Sequence, residues 1–130
     1  MFEDTKAFSS FSVDDAAAAK DFYEGVLGLA TSEGAMPGIL SLKLPGGAEV
    51  MAYEKPDHTP ASFTVIHFPV PDLPATVADL TARGVTFEHY RGTAVETDDD
   101  GIFRGGGPLI AWFTDPAGNV LAVLEEERDD

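Results

Sequence analysis

The pattern of apolar and polar positions predicts two copies of one unit, each made of a strand, a helix and three further strands. An apolar strand ends at Val13 in the first half and at Val70 in the second. Two residues later, Asp15 and Asp72 can each accept a hydrogen bond from a free N–H group at the start of a helix. Apolar residues spaced by three and four positions follow, which is typical of a helix with one buried face.

Start and stop signals set the expected bounds of these elements. The first helix is expected from about Ala16 to Leu27, where Gly28 can end it, and the second lies between Asp72 and Gly84. Short apolar or alternating runs predict the strands. They are Ala30–Glu33, Ile39–Leu44 and Glu49–Glu54 in the first half, and Thr86–Tyr90, Leu109–Phe113 and Val120–Glu125 in the second.

The repeat also fixes the expected domain organisation. A Pro-x-Gly turn joins the last two strands of each half, at Pro45 and at Pro116. We expect one domain over residues 1–130, the length of the chain. Its parts are a first βαβββ module (1–54), a linker (55–60), a second βαβββ module (61–126) and an acidic tail (127–130). The Gly-rich stretch Gly92–Gly107 is expected to be a specialised loop within the second module.

Composition narrows the partners of the chain. Hydrophobic residues make up 44% and charged residues 24%, as in ordinary globular domains. A formal net charge of −15 repels nucleic acid and anionic membrane surfaces, so neither is expected as a partner. The absence of cysteine rules out disulfides and thiolate sites. The N-terminal residues have no secretory pattern and no run is long enough to span a bilayer, so we expect a cytoplasmic location.

Three motifs in this order resemble those of the vicinal-oxygen-chelate superfamily, which includes glyoxalases, bleomycin-resistance proteins and extradiol dioxygenases. They are Val13-Asp14-Asp15 leading to Phe22-Tyr23-Glu24-Gly25-Val26-Leu27-Gly28-Leu29, then Val70-Pro71-Asp72-Leu73, and finally Phe113-Thr114-Asp115-Pro116-Ala117-Gly118-Asn119. The resemblance implies an α+β fold in which two βαβββ repeats form a curved mixed sheet around a cavity, with helices on the outer face. It also implies a homodimer.

The resemblance further indicates where metal ligands would stand. Metal-using members of the superfamily carry His, Glu or Gln ligands on the cavity strands. Counting from the motifs places the four positions at Phe8, Met51, Val65 and Ala122. None of these residues is a ligand suited to Mg²⁺, Mn²⁺, Fe²⁺ or Zn²⁺. We therefore expect neither a metal site nor another cofactor.

The alternation of strand faces predicts a mainly apolar, aromatic cavity suited to a small organic ligand. His67 is the candidate catalytic residue, because an imidazole can act as a general base near neutral pH. The alternative for His67 is a half-buried side chain bonded to Ser10 or to the backbone. The expected ligand-binding residues are Phe8, Ser10, Ser12, Met51, Tyr53, Phe63, Val65, His67, Arg104, Trp112 and Ala122.

Three functions are compatible with this sequence. The first, which the apolar ligand positions favour, is a metal-free protein that binds an aromatic or natural-product ligand. The second is a lyase, isomerase or dioxygenase that uses a relocated metal at His67 and Glu49, or metal-free acid/base chemistry at His67. The third is a non-catalytic interaction module whose pocket has collapsed.

Overall fold

The chain divides into two compact units, of which unit 1 is Met1–Pro60 and unit 2 begins at Ala61. A computed structural model describes residues 1–34 and 36–126. The predicted acidic tail, 127–130, lies outside the described residues. None of the helices within the described ranges is both long and apolar enough to cross a membrane.

Each unit has the order strand, helix, then three strands, so the expected α+β fold with two βαβββ repeats is confirmed. The hydrogen bonds join the strands into two four-stranded sheets, with the orders β1-β4-β3-β2 and β5-β8-β7-β6. The elements of unit 1 are β1 (Ser9–Val13), α1 (Ala16–Lys20), a π-helical segment (Asp21–Val26), β2 (Ala30–Glu33), β3 (Ile39–Lys43) and β4 (Glu49–Glu54). Those of unit 2 are β5 (Thr64–Val70), α2 (Leu73–Ala82), β6 (Ile102–Phe103), β7 (Ile110–Thr114) and β8 (Val120–Glu125).

The first helix begins where the sequence predicts but does not stay α-helical. Asp15 accepts hydrogen bonds from the backbone N–H groups of Ala17 and Ala18, and these bonds start α1. The prediction of one α-helix from Ala16 to Leu27 is wrong, because the chain widens into a π-helix after Lys20. The wider turn accompanies two large aromatic residues, and Tyr23 is completely buried against the rings of Phe11 and Phe22.

The second helix follows its sequence signals closely. The Asp72 carboxylate accepts a hydrogen bond from the Ala75 N–H at 3.1 Å, and a proline occupies the first turn. The side chains of Leu73, Val77 and Leu80 are buried on one face. Gly84 follows the helix with φ +93°, a conformation that glycine adopts without steric cost.

One predicted strand of unit 2 is wrong. Thr86–Tyr90 does not form a strand, and only Phe87 makes an isolated bridge, to Phe113. The edge position beside β7 is occupied instead by β6, in which Ile102 pairs with Ala111 and Phe103 with Ile110. The apolar run after Gly84 therefore contacts the end of β7, while a later segment completes the sheet.

Hydrogen bonds confirm that the β3–β4 and β7–β8 turns are copies of each other. The Leu44 N–H donates to the Ala48 carbonyl at 2.8 Å, and the Asp115 N–H donates to the Asn119 carbonyl at 2.9 Å. Unit 2 adds a buried side-chain network to this backbone turn. The Asp115 carboxylate accepts bonds from the N–H groups of Ala117 and Asn119 and from the Asn119 side-chain amide.

The Asn119 side chain also ties the start of unit 2 to this turn. Its oxygen accepts a hydrogen bond from the Ala61 N–H at 3.0 Å, and the residue is 1% exposed. Because buried polar groups lose much stability when a partner is removed, this network is a stabilising element of unit 2.

We predict that Asn119→Ala lowers the free energy of unfolding by about 2–3 kcal/mol, since a buried carboxylate loses a donor and a backbone N–H loses its acceptor. Urea titration followed by circular dichroism measures the change. The matched control is Ala48→Ser at the same turn position in unit 1, where the side chain is exposed, and it should change stability by less than about 0.5 kcal/mol. Equal effects of the two variants would contradict the network.

Candidate functional site

Strand register assigns the side chains of unit 2 to two faces. Leu121 of β8 pairs with Ile66 of β5 on one side and with Phe113 of β7 on the other. These three residues are at most 4% exposed. They lie on the side that packs against α2, which contacts β8. The next row consists of His67, Ala122 and Trp112, which pair across β5, β8 and β7 and point to the opposite face. We call this opposite side the aromatic face.

Trp112 is the centre of an aromatic cluster on that face. The Tyr90 ring lies 5.4 Å from the Trp112 ring between centroids, at an interplanar angle of 68°. The Phe103 ring also contacts Trp112. The two ring centroids are 6.1 Å apart, and the interplanar angle is 48°. These tilted geometries are the ones that aromatic pairs prefer. All three side chains are half-buried, so part of each ring is accessible.

Tyr90 reaches this cluster through an unusual backbone conformation. Its φ is 48°. Among residues 1–34 and 36–126 it is the only residue other than glycine with a positive φ. Such a conformation costs free energy and persists only where neighbouring contacts hold it. Buried Thr97 supplies such contacts, because its N–H and its hydroxyl donate to the His89 carbonyl at 2.9 and 3.0 Å. The Glu88 N–H donates to the Trp112 carbonyl at 2.8 Å.

The phenol of Tyr90 is held in its neutral form. Burial raises the pKa of this group above its ordinary value of 10.0, and the negative charge of Glu88 raises it further. A neutral phenol can both donate and accept a hydrogen bond. Tyr90 therefore combines a partly exposed ring with a polar group at the same position.

Asp98 organises the loop that carries Phe103. Its carboxylate accepts bonds from the N–H groups of Asp100 and Ile102, both at 2.9 Å, and from the Arg104 guanidinium at 2.8 Å. Burial opposes the charge, but these hydrogen bonds outweigh it and lower the pKa of the Asp98 carboxyl below its ordinary 3.8. The Gly-rich stretch is thus internally bonded from Asp98 to Arg104.

The structure places Arg104 apart from the other predicted residues of unit 2. Phe103 points to the aromatic face, and Arg104 follows it on the α2 side, where it lines a groove with Val77 and Phe87. His67 is exposed, and its ring makes no hydrogen bond with the other described residues of unit 2, 61–126. Ala122 is fully buried, and its partners in the row are His67 and Trp112.

The first strand of unit 2 contains an irregularity that affects Val65. The parallel register with β8 shifts between Thr64 and Ile66, so Val65 has no register partner. The residue in the row of Ala122 is His67. Phe63, just before the strand, is 69% exposed. Counting residues from the motifs places Val65 at a ligand position, but this count does not allow for the bulge.

In unit 1, the equivalent face carries hydroxyl groups. Ser10 pairs with Met51, and Met51 pairs with Ser41, in the row that corresponds to His67, Ala122 and Trp112. The Ser12 hydroxyl lies 2.7 Å from His58 Nδ1, so the linker histidine packs on this strand. Tyr53 and Met51 are half-buried, Ser10 is exposed, and Phe8 is 63% exposed just before β1.

The donor set does not fit the divalent metal that the resemblance associates with this fold. The four counted positions offer three hydrocarbon side chains and the thioether of Met51, a poor ligand for hard cations. Within the described ranges, no group of three or more His, Cys, Asp or Glu side chains is arranged to hold a metal ion.

The sequence interpretation did not include Tyr90 and Phe103 in the site. The sequence pattern predicts a strand at Tyr90, and nothing local signals that this residue adopts a positive φ. Asp98-Asp99-Asp100-Gly101 does contain a signal, because an Asp ahead of a Gly turn commonly accepts hydrogen bonds from N–H groups two residues on. That signal predicts an ordered turn but not its distance from Trp112.

Comparisons with known proteins identify others with the same fold. A crystal structure of a family member from Sphaerobacter thermophilus DSM 20745 is 26% identical, with 92% of this chain and 96% of that chain covered and a TM-score of 0.67. TnmS3, an antibiotic binding protein from Streptomyces sp. CB03234, is 23% identical over 95% of this chain and 98% of its own, with a TM-score of 0.66. A glyoxalase family protein from Enterococcus faecalis is 23% identical over 96% and 100% of the two chains, also with a TM-score of 0.66.

No curated protein matches the chain. The family model described as the Glyoxalase/Bleomycin resistance protein/Dioxygenase superfamily matches residues 8–123, which include every strand but the end of β8. The likenesses to solved structures support the same fold. The chain belongs to the glyoxalase/bleomycin resistance protein/dioxygenase superfamily.

Proposed function

We propose that this chain is a small-molecule binding protein that holds a planar aromatic or natural-product ligand on the aromatic face of unit 2, without a metal. The observation that carries the proposal is the half-exposed cluster of Tyr90, Trp112 and Phe103. Partly exposed aromatic rings in fixed geometry offer a large contact area at low entropic cost.

Polar groups beside the cluster give this face a means of orienting a ligand. His67 lies in the same row as Trp112, separated from it by Ala122 on the strand between them. Neighbouring strands lie about 4.8 Å apart, so the two backbones are roughly 10 Å apart. The ligand would contact the imidazole and the indole on either side and not the buried methyl group of Ala122.

Strain at Tyr90 supports a binding role over simple core packing. A side chain needed only to fill space could be supplied from an unstrained position, whereas this one is held at φ 48° with its ring against the indole. The formal charge of −15 favours neutral or cationic ligands over anions. TnmS3, one of the similar structures, is an antibiotic binding protein, and binding of such a small molecule is compatible with this proposal.

The proposal retains two further expectations. The resemblance implies a homodimer, and sedimentation at several protein concentrations tests it. The cytoplasmic location expected from the sequence is retained as well. Neither is needed for the ligand to reach the aromatic face.

We predict that aromatic ligands change the fluorescence of Trp112, which is the only tryptophan in the sequence and therefore reports on this face directly. Quinoline, 1-naphthol and flavone serve as probes. Tyr90→Ala keeps the fluorophore and removes one ring of the cluster, so the Kd for a bound probe should rise by about fivefold to tenfold.

Val95→Ala is the matched control, because Val95 is an exposed apolar residue of the same loop at 39% exposure, and its Kd should equal that of the original protein. Two results would contradict the proposed site. None of the probes changes the fluorescence, or a probe that binds the original protein has the same Kd for the Tyr90→Ala protein.

We also predict that the Tyr90 phenol titrates above pH 10.0 and that Glu88→Gln lowers its pKa, because the charge of Glu88 is part of the shift. Phenolate absorbance measures the titration, and Tyr90→Phe identifies the component among the three tyrosines. The raised pKa contributes stability that is present below pH 10.0 and lost as the pH rises through the folded value. Titration of Tyr90 at or below pH 10.0 would show that the ring is not held as described.

A further inference from the structure

A groove of about 610 Å³ lies between α2 and residues 85–104 of unit 2. It is on the α2 side of the sheet, and its lining includes no residue of the Tyr90, Trp112 and Phe103 cluster. Its apolar part is formed by Val77, Val85, Phe87 and Ile102, each at most 8% exposed as a residue. Its volume is within the usual range of small-molecule pockets.

One end of the groove carries a surplus of carboxylates. Asp99, Asp100 and Arg104 line it together. The Arg104 guanidinium is already bound by Asp98 at 2.8 Å, so its charge is balanced inside the turn. The Asp100 carboxylate accepts no hydrogen bond within the described ranges, and Asp99 lies 4.0 Å from Arg91. This end of the groove therefore attracts a cation.

His89 adds a hydrogen-bond acceptor of defined position. Its Nδ1 lies 3.1 Å from the Asp98 carbonyl oxygen, which can only accept, so Nδ1 carries the proton and donates. In the neutral ring, Nε2 is then the atom with a free lone pair. Nε2 has no hydrogen-bond partner among residues 1–34 and 36–126. A ligand with an N–H group can supply the missing donor.

We propose that this groove binds a small aromatic amine in its ammonium form. The ring system contacts Val77, Phe87 and Ile102, while the ammonium group lies between the Asp100 carboxylate and His89 Nε2. Charge complementarity selects the amine over a neutral or anionic ring of the same shape. This site is on the other side of the sheet from the aromatic face, so it stands or fails independently of the proposed function.

Unit 1 provides an internal comparison. A groove of about 550 Å³ lies in the corresponding place, between α1 and β3, and is lined by Ala17, Lys20, Glu33 and Ile39 among others. It carries one cationic and one anionic side chain and no histidine. A groove beside the helix is thus common to both repeats, whereas the two carboxylates and the imidazole belong to unit 2.

The test is a titration of the ¹⁵N-labelled protein with tryptamine. The chemical shifts of the backbone amides and of the Trp112 indole N–H group are measured at each step. The neutral analogue tryptophol and the anionic analogue indole-3-acetate have the same ring. We expect tryptamine to shift the amides of Val77, Val85, His89 and Ile102, and to bind about fivefold more tightly than tryptophol. Indole-3-acetate should bind more weakly than either.

Variants decide between the groove and other sites. Asp99→Asn combined with Asp100→Asn changes two exposed residues and should weaken tryptamine to the affinity of tryptophol. Ala78→Phe, at an exposed position of α2 that lines the groove, should abolish the shifts. Ala17→Phe is the matched control in the unit 1 groove and should leave them unchanged.

Several outcomes would overturn the proposal. These are tryptamine shifts confined to the Trp112 indole or to unit 1, equal affinities for the amine and the acid, and a double Asp variant that binds tryptamine as before. If Ala78→Phe does not fold, the double Asp variant decides alone, since its two positions are exposed.

Discussion

The register of β8 between β5 and β7 is the constraint on which the candidate site depends. Leu121 is completely buried and pairs with Ile66 on one side and Phe113 on the other. Burial of this row fixes the direction of every neighbouring side chain, because a slip of one residue would exchange the two faces. The row of His67, Ala122 and Trp112 follows from the packing of the core and not from any interaction among its own members.

The two units share a backbone plan and differ in what their side chains add to it. Both have the same strand order and the same hydrogen bonds across the last turn. Only the turn of unit 2 buries an Asp–Asn pair, Asp115 and Asn119, where unit 1 has Leu44 and Ala48. Likewise, the row that carries an imidazole and an indole in unit 2 carries two serines in unit 1. Fold and chemistry are therefore set by different residues of the same repeat.

Local signals predict the fold well wherever the partners are close in sequence. Both helices begin at the expected Asp caps, and the expected strands Glu49–Glu54 and Val120–Glu125 have the observed bounds. The errors lie where distant contacts decide. The first helix widens where Tyr23 is buried against Phe11 and Phe22, and Ile102–Phe103 pairs with β7 where a strand at Thr86–Tyr90 is expected.

The candidate site was partly predictable for the same reason. Strand alternation places Trp112 and His67 on one face, as the sequence predicts. Tyr90 joins them in a strained turn whose backbone is bonded by Thr93, at the Tyr90 carbonyl, and by Thr97, at the His89 carbonyl. A contact of this kind depends on loop closure, and neither periodicity nor propensity encodes it.

The most direct measurement is a set of isotope-filtered nuclear Overhauser effects between an unlabelled aromatic ligand and the labelled protein. Binding at the aromatic face requires effects from the ligand to the indole protons of Trp112 and to the ring protons of Tyr90 and His67. Effects that reach only the buried side chains around Leu121, or that avoid Trp112 altogether, would contradict a ligand site on this side of the sheet.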